Sequence, residues 1–324
     1  MNDVVTRAAH AACRLTPSAV LHRMMNIDVI VLAYHVVSDD IVPHVAHLYP
    51  YKTPARFELD LEYLNANYHI LSFEEFEKGC RGRARRKPGV LLTFDDGLSE
   101  CYDIVRPILL RLGIPCTFFV ATSFIDNRSL FYRHKASLCV DRIKKNGRDT
   151  EDDFTQWIMS LRHADEDTIE SVCETLDVDP GKFLRERQPY LTTGQLEQLV
   201  ADGFTLGGHG KQHVELVELR DPALIEAEIV ESCEHVRRLT RTTRVPFAFP
   251  FTGRRVSRGF LQDLVSRNTS VSFFFDTAGF AADAPFVVNR IGADGPVPLP
   301  DLLRYTLEHE GAGRAAAWMR RLSR

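Results

Sequence analysis

A nine-residue stretch at positions 89–97, Gly-Val-Leu-Leu-Thr-Phe-Asp-Asp-Gly, constrains the fold most strongly. Its apolar run predicts a buried strand, and its last glycine predicts the turn that ends the strand. Successive strand residues point to opposite sides, so the carboxylates of Asp95 and Asp96 can serve different purposes at the strand tip, one holding a cation and one a proton. Taken alone, the stretch favours a solvated Asp-Asp-Gly turn, and the rest of the chain decides between the two interpretations.

Strand and helix patterns alternate on both sides of this stretch. Phe57, Leu61 and Leu64 recur at the spacing of a helix face, and Ser72 with Glu75 has the pattern of a capping box at the start of another helix. Further strands are expected at 28–35, 68–71, 116–121, 204–208, 246–251, 271–275 and 286–291. The repeated order of strand, helix and strand predicts parallel βα units.

Residues 126–190 interrupt this alternation. Apolar residues recur at helical spacing over 154–161 and again over 169–176, and no strand pattern lies between them. The segment is therefore predicted to be a helical insertion on the βα scaffold. A covering or partner surface is the simpler role for it, and a substrate lid is the alternative.

The composition bounds the class of protein. With 324 residues, 44% of them hydrophobic, the chain can bury a large core, and a net charge of −4 argues against a general nucleic-acid binder. No apolar run reaches the length of a transmembrane helix, and residues 1–21 lack the apolar core of a secretory signal. Seven scattered cysteines without a C-x-x-C pair fit free thiols in a reducing compartment. These features together predict a cytoplasmic protein.

The segment 81–88, Arg-Gly-Arg-Ala-Arg-Arg-Lys-Pro, is the most basic part of the chain. A solvated linker is the favoured interpretation of such a run of charge. Weak peripheral contact with a membrane or another anionic surface is the alternative.

His209 and His213 lie four residues apart, directly after the strand pattern that ends at Gly208. Such a pair is weak evidence by itself, because histidines at this spacing also occur on ordinary helix surfaces. Two histidines and one carboxylate, however, make a complete three-ligand set for a catalytic zinc with an open position. In a barrel of parallel βα units the carboxyl ends of the strands converge on one face, so the histidines and the Asp-Asp pair are expected to meet there.

Four short segments carry sequences that resemble family motifs. They are Thr-Phe-Asp-Asp-Gly at 93–97, His-Gly-Lys-Gln-His at 209–213, Phe-Ala-Phe-Pro-Phe-Thr-Gly at 247–253, and Leu-Ala-Tyr-His-Val-Val at 32–37. The first three resemble, in that order, the three motifs of the polysaccharide deacetylases, the NodB-homology domain of carbohydrate esterase family 4. The fourth resembles the opening of the branch that acts on poly-N-acetylglucosamine and other exopolysaccharides.

This resemblance implies an architecture. The family has an α/β fold, a distorted (β/α)7 barrel, which here would carry the helical insertion at about 126–190. The chain would then divide into an N-terminal helical lead-in at 1–26, a catalytic domain at 27–292 and a C-terminal helical tail at 293–324.

The resemblance also implies a set of site residues. Asp96, His209 and His213 would bind one divalent metal ion, usually zinc in this family. Asp95 would be the general base that activates the attacking water. The main-chain N–H of Phe251 would help to hold the oxyanion.

Tyr34, in the opening motif beside His35, is grouped with the residues that contact the substrate.

The chain departs from the family pattern at several positions. Gly210 stands where the second motif has serine or threonine, so a hydrogen bond of that loop is expected to be missing. Thr252 displaces the last glycine of the third motif. The arginine that usually steadies the base has no equivalent in that motif, and Arg290, near a late strand end, is favoured over Arg244 for this role.

A further departure from the family pattern concerns the general acid. The late L-x-H motif that supplies it in the family is absent, because no histidine lies between His235 and His309. A protonated group is still needed for the leaving amine. His35, at the end of a predicted strand, is preferred over His44 and His47, since a histidine in a loop is more often solvated.

The resulting hypothesis is a metal-dependent hydrolase that removes an N-acyl group, most simply acetyl, from an amino sugar of a polysaccharide or glycoconjugate. One alternative is hydrolysis of a non-sugar amide or a formyl group by the same site. A second is a catalytically decayed module that binds glycan, and a third is non-haem iron oxidation, which uses the same ligand trio but has no need of Asp95.

Overall fold

The computed structural model describes residues 12–16, 18–79, 87–147, 153–280 and 283–322. Most of the basic segment 81–88 lies outside these residues, so its contact with an anionic surface stays a prediction. None of the helices in the described ranges combines the length and the apolar character that crossing a membrane requires.

Strands and helices alternate along the described chain as the sequence predicts. The strands are β1 (Val29–Tyr34), β2 (His69–Leu71), β3 (Gly89–Phe94), β4 (Thr117–Val120), β5 (Thr205–Gly208), β6 (Val245–Ala248), β7 (Val271–Asp276), β8 (Val287–Asn289) and β9 (Ile291–Gly292). The helices are α1 (Ser18–Met24), α2 (Pro54–Asn67), α3 (Phe73–Glu77), α4 (Arg106–Leu112), α5 (Tyr132–Lys145), α6 (Asp153–Ser160), α7 (Glu166–Thr175), α8 (Pro180–Arg187), α9 (Thr193–Ala201), α10 (Pro222–Thr240), α11 (Arg258–Arg267) and α12 (Leu299–Leu322). A π-helical turn, Cys101–Val105, precedes α4.

The strands form one parallel sheet that curls into a nearly closed barrel. Their order is β8-β7-β6-β5-β4-β3-β1-β9, and β2 pairs with the first half of β3. Only Arg290 separates β8 from β9, so the two act as one bent strand that pairs with β7 on one side and with β1 on the other. Counted in this way the barrel has seven strand positions, and the predicted distorted (β/α)7 barrel of the α/β class is confirmed.

Side chains alternate across the barrel wall and build two apolar layers. Val31, Leu91, Phe119, Ala248 and Phe275 form one buried cluster inside the barrel. Their neighbours along the strands face outward and pack under the surrounding helices in a much larger buried cluster. This is the pattern expected of strands that are buried on both faces, because every second residue faces each side.

The two glycines that end β5 are required by close packing. A Cβ on Gly207 would collide with the ring of Phe119 inside the barrel and come 2.8 Å from the carbonyl oxygen of Pro246. A Cβ on Gly208 would come 2.7 Å from Oγ of Ser232 on α10. The glycines therefore let a large ring cross the barrel and let a helix approach the strand.

The segment that interrupts the alternation, 126–190, is helical and lies over the carboxyl ends of the strands. Its two ends meet beside the Asp-Asp-Gly turn, where Leu98 pairs with Tyr190 in an antiparallel bridge and the N–H of Leu191 donates to the carbonyl of Gly97. Its helices share a second buried cluster with the loop after β1, to which Val36, Val42 and Val45 belong.

The N-terminal helix and the C-terminal helix pack on each other. Leu21 and Met25 form a buried cluster with Leu307 of α12, and Arg304 donates to the carbonyl of Thr16 and the hydroxyl of Ser18. The division into lead-in, catalytic domain and tail stays a prediction.

We expect Gly207→Ala to destabilise the barrel. The added methyl group has no space between Phe119 and the Pro246 carbonyl, so the free energy of unfolding should fall by about 1–3 kcal/mol, the usual result of overpacking. Urea denaturation followed by fluorescence measures this change. The control is Gly194→Ala in the first turn of α9, where an added Cβ meets nothing within 4 Å. Equal stability of the two variants would contradict the packing argument.

Candidate active site

Asp95 and Asp96 follow β3 and leave it in different directions. The N–H of Asp95 still donates to the carbonyl of Tyr34 on β1, which extends the strand ladder by one residue. Asp96 has a φ of 71°, a left-handed conformation that is uncommon for a residue other than glycine. Both carboxylates are buried. The sharp change in backbone direction separates their surroundings, as the sequence predicts for adjacent residues at a strand tip.

The structure brings Asp96, His209 and His213 together. Oδ1 of Asp96 lies 3.3 Å from Nε2 of His209 and 3.0 Å from Nε2 of His213. The three potential ligand atoms all lie within 4.8 Å of one another. Burial lowers the pKa of His213, which keeps its ring neutral, as a metal ligand must be.

The protonation of this trio fits a bound cation. Nδ1 of His209 lies 2.9 Å from the carbonyl oxygen of Ala248, which can only accept, so the proton of the ring must sit on Nδ1. Nε2 is then the nitrogen that a neutral ring offers to a metal, and it faces Oδ1 of Asp96, a buried oxygen with no hydrogen-bond partner in the described structure. Two acceptors that face each other without a proton between them suit a metal ion, and the carbonyl that orients His209 is a typical outer partner of such a ligand.

The loop between the two histidines is held by Glu228. Gly210 has a φ of 74° and His213 a φ of 54°. The buried carboxylate of Glu228 on α10 accepts hydrogen bonds from the N–H groups of Lys211, at 2.7 Å, and Gln212, at 3.2 Å. Gly210 has no side chain that could hydrogen-bond within this loop. Glu228 holds the loop instead, by accepting hydrogen bonds from two of its main-chain N–H groups.

Asp95 forms a bidentate ion pair with Arg290 inside the barrel. Nη1 and Nη2 of Arg290 each lie 2.7 Å from one oxygen of Asp95, and Nη1 also donates to Oγ1 of Thr93 at 3.1 Å. The guanidinium lies 5.4 Å from the centre of the Phe119 ring. Burial alone would raise the pKa of Asp95, but the charge of Arg290 lowers it below its ordinary value. Asp95 is therefore ionised and fixed in orientation.

His35 lies beside Asp95 and is paired with a carboxylate that the sequence did not indicate. Nδ1 of His35 is 2.6 Å from Oδ2 of Asp294, and the N–H of His35 donates to Oδ1 of the same carboxylate at 2.8 Å. Nε2 of His35 lies 3.9 Å from Oδ2 of Asp95. Burial alone would lower the pKa of His35, but the charge and hydrogen bond of Asp294 raise it to about 10. His35 is therefore protonated at neutral pH.

Tyr49, in the loop after β1, is a further site residue that the sequence did not reveal. Its hydroxyl donates to Oδ2 of Asp96 at 3.1 Å, and the centre of its ring lies 4.9 Å from that of His35. A tyrosine in a loop has no pattern that marks it as functional. Only the position of the loop over the barrel mouth reveals its contact.

Tyr34 is placed differently from the expectation. Its ring is fully buried on the outer face of the barrel, where it stacks on Phe94, and its hydroxyl donates to Asp60 at 3.0 Å. It does not line the pocket that contains His35. The correction follows from strand geometry, because adjacent residues face opposite sides and only one of Tyr34 and His35 can face the site.

The loop after β6 carries Phe251, whose φ is 57°. Its ring centre lies 5.1 Å from that of His213. Asp276 at the end of β7 holds this loop, because Oδ1 accepts from the N–H of Gly253 at 3.0 Å and from the hydroxyl of Thr252 at 3.2 Å. Thr252, the departure from the third motif, thus takes part in anchoring the loop.

The inserted segment supplies one wall of the pocket through the start of α5. The ring centre of Phe131 lies 4.5 Å from that of His213, and the guanidinium of Arg133 lies 5.7 Å from the centre of the Phe251 ring. Nδ1 of His134 lies 2.7 Å from the hydroxyl of Tyr190. Burial lowers the pKa of His134 to about 3, so this ring is neutral. The pocket has a volume of about 190 Å³.

The fold and this site define a barrel protein with a cluster of two histidines and one carboxylate that could hold a metal ion, and a second, arginine-bound aspartate at the mouth. The sequence model of one family, described as polysaccharide deacetylase, matches residues 82–265. The chain belongs to the polysaccharide deacetylase family. No curated protein sequence matches the chain.

Solved structures of deacetylases share the fold. The Streptococcus pyogenes deacetylase PplD, solved with acetate, is 18% identical with a TM-score of 0.58, over 86% of this chain and 97% of that one. IcaB from Ammonifex degensii is 18% identical with a TM-score of 0.54, over 86% and 97%. A de-N-acetylase from Aggregatibacter actinomycetemcomitans is 15% identical with a TM-score of 0.58, over 86% and 99%.

The contact between His35 and Asp294 predicts a pH-dependent stability. Because the pKa of His35 rises from 6.5 to about 10 on folding, the protonated ring stabilises the fold fully below pH 6.5. This contribution is lost as the pH rises toward 10. We expect Asp294→Asn to be much less stable than the wild type at pH 6, with a smaller difference at pH 10, when both are measured by urea unfolding.

Asp263→Asn, an exposed change on α11, is the control and should follow the wild type at every pH. A difference between Asp294→Asn and the wild type that stays constant from pH 6 to pH 10 would exclude the ion pair as its source.

Proposed function

We propose that this protein is a metal-dependent hydrolase that removes an N-acyl group, acetyl in the simplest case, from an amino sugar of a polysaccharide or glycoconjugate. The observation that carries the proposal is the separation of two adjacent carboxylates. Asp96 faces two histidines, whereas Asp95 is bound by Arg290 and lies beside His35. A ligand set next to a separate base and a separate acid is what hydrolysis of an amide requires.

Asp96, His209 and His213 are proposed to hold one divalent ion, with zinc as the first choice for two imidazoles and one carboxylate. When bound, such an ion polarises the acyl carbonyl and makes water nucleophilic near neutral pH. The hydroxyl of Tyr49 donates to Oδ2 of Asp96, the carboxylate oxygen that does not face the two histidines, and so orients the carboxylate.

Asp95 is proposed to be the general base. Its Oδ2 lies 4.0 Å from Nε2 of His209 and 3.9 Å from Nε2 of His35, so it stands between the ligand set and the second proton-transfer group. Arg290 keeps this carboxylate ionised and prevents its rotation. In this arrangement Asp95 accepts a proton from the attacking water.

His35 is proposed to be the general acid. The Asp294 carboxylate keeps the ring protonated at neutral pH, with the pKa of His35 at about 10. Nε2 carries the proton that is given to the nitrogen of the leaving amine as the carbon–nitrogen bond breaks. This pair takes the place of the absent late histidine and removes the main argument for a catalytically decayed glycan-binding module.

The rest of the pocket is proposed to hold the sugar. Phe131, Phe251 and Tyr49 contribute aromatic rings to the lining of the pocket that contains Asp96, His209 and His213. The main-chain N–H of Phe251 is proposed to donate to the oxyanion that forms from the acyl carbonyl. The left-handed backbone at Phe251 supports this role, because strained conformations of this kind concentrate at functional sites.

We expect Asp95→Asn to keep its metal and lose amide hydrolysis. The amide cannot accept a proton from water, so acetate release from N-acetylated amino-sugar oligomers should fall about 10²–10⁴-fold, the usual effect of removing a general base. Bound zinc is measured by elemental analysis and acetate by an enzyme-coupled assay. A chelator should abolish release by the wild type, and unchanged turnover of the variant would refute the role of Asp95.

We expect His35→Ala to slow hydrolysis of amides but not of activated esters. An amine leaves only after it gains a proton, whereas 4-nitrophenolate leaves without one. Acetate release from amino-sugar oligomers should fall about 10²-fold or more while hydrolysis of 4-nitrophenyl acetate changes little. His47→Ala, in the same loop region but outside the pocket lining, is the control. Equal losses on both substrates would contradict the assignment.

A further inference from the structure

The first turn of α5 presents a cation to the pocket. Arg133 is half-buried, lines the pocket and lies over the face of Phe251, 5.7 Å from the ring centre. The aromatic face holds the guanidinium in place but leaves the donors at its edge available. Arg133 belongs to the inserted segment, whereas the proposed metal-binding and proton-transfer residues belong to the barrel strands and their loops.

Three other basic side chains of α5 have acidic partners, and a fourth, Lys144, is exposed at the far end of the helix. Lys135 binds two glutamates of α7, Arg142 lies 3.5 Å from Asp177, and Lys145 lies 2.7 Å from Asp141. Arg133, in contrast, forms no ion pair with any residue in the described ranges of the chain. The charge of Arg133 is thus left without an internal partner at the point where a ligand would enter.

The carboxylates of the pocket cannot serve as that partner. Asp95 is bound by Arg290, and Asp96 faces its two histidines and Tyr49. Both carboxylates therefore have their own cationic or hydrogen-bonding neighbours. The described residues of the chain therefore supply no anion that neutralises Arg133.

The start of α5 itself favours an anion. The helix is 14 residues long, has no acidic residue in its first turn, and its N-cap residue Phe131 makes no side-chain cap. The N–H of Phe131 donates to the hydroxyl of Tyr190, but no carboxylate in the first turn compensates the positive end of the helix dipole beside the pocket. His134, in the same turn, is 1% exposed, lines the pocket, and its Nε2 has no hydrogen-bond partner in the described structure. The guanidinium, the helix end and an unpartnered ring nitrogen thus lie along one wall.

We propose that Arg133 binds an anionic group of the substrate, so that the protein acts on an acidic glycan that carries a carboxylate or phosphate next to the N-acylated sugar. A planar guanidinium matches either anion with two parallel hydrogen bonds. This inference rests on the proposed function, because it names the substrate class of the same site. It assigns the inserted segment to substrate selection.

The test compares neutral and acidic oligosaccharides of similar length. Acetate release is measured from N-acetylglucosamine tetramer, from the alternating N-acetylglucosamine–glucuronate tetramer, and from N-acetylglucosamine tetramer phosphorylated at one sugar. The wild type should prefer at least one acidic substrate by roughly tenfold or more in kcat/KM, in line with a charge-assisted hydrogen-bonded pair. The two acidic substrates distinguish a carboxylate from a phosphate.

Arg133→Met should remove this preference by lowering kcat/KM on the acidic substrate, mainly through KM, with little change on the neutral one. Arg133→Lys should keep part of the preference. Arg142→Met, which removes the same charge from an exposed position of α5, should behave as the wild type. Equal losses of Arg133→Met on neutral and acidic substrates would overturn the proposal, because Arg133 would then act only by supporting Phe251.

A binding measurement separates this inference from the proposed function. Calorimetric titration of the wild type and Arg133→Met with the deacetylated forms of the same oligosaccharides requires no turnover. Acetate release without any preference for acidic substrates would leave the proposed function standing and refute the role of Arg133. Binding that favours the acidic oligosaccharide and depends on Arg133, without acetate release from any substrate, would support the anion site and refute the hydrolase.

Discussion

The buried ion pair between Asp95 and Arg290 is the interaction on which the rest of the structure depends. It joins the end of β3 to the bend between β8 and β9, and so connects the two sides of the barrel across its interior. A buried pair of this kind repays its desolvation only when its geometry is good and its remaining donors are satisfied. Here two parallel hydrogen bonds and the hydroxyl of Thr93 supply the geometry, whereas the buried Nε of Arg290 has no hydrogen-bond partner in the described structure. Removing either partner would leave a charge without compensation inside an apolar barrel.

The pairing of β9 with β1, which closes the barrel, also brings His35 and Asp294 together. Beyond Arg290 the last strand runs alongside β1, and the N–H of Ala293 donates to the carbonyl of Ala33. This register brings Asp294 level with His35, so the carboxylate reaches both the ring and the main-chain N–H of that histidine. Barrel closure and the opposite protonation states of Asp95 and His35 therefore have one structural origin. An arginine keeps the proposed base ionised and an aspartate keeps the proposed acid protonated. Of these two partners, Arg290 directly precedes β9 in the sequence and Asp294 follows it by two residues.

What the sequence could predict follows from how local each signal is. The strand tip with Asp95 and Asp96, and the histidine pair at 209 and 213, are short patterns in a βα repeat, so the barrel and the trio could be inferred together. The role of Asp294 could not be inferred, because its contact with His35 depends on the pairing of the first strand with the last. The expectation that Tyr34 contacts the substrate is not met, because the alternation of side chains along β1 excludes Tyr34 from the site once His35 faces it. Tyr49 lies in a loop, where no periodicity restricts the direction of a side chain.

Backbone strain links the inserted segment to the site. Asp96, His213 and Phe251 each have a positive φ, and such conformations cost on the order of 1–3 kcal/mol each and persist only where the surrounding structure imposes them. The three belong to three different loops, and the ring of His213 contacts the rings of both Phe131 and Phe251. Because Phe131 belongs to the insertion, that segment does more than cover the barrel. It contacts the ring of a proposed metal ligand and, two residues further along in the first turn of α5, presents the charge of Arg133 to the substrate, so ligand geometry and substrate choice are coupled through one helix end.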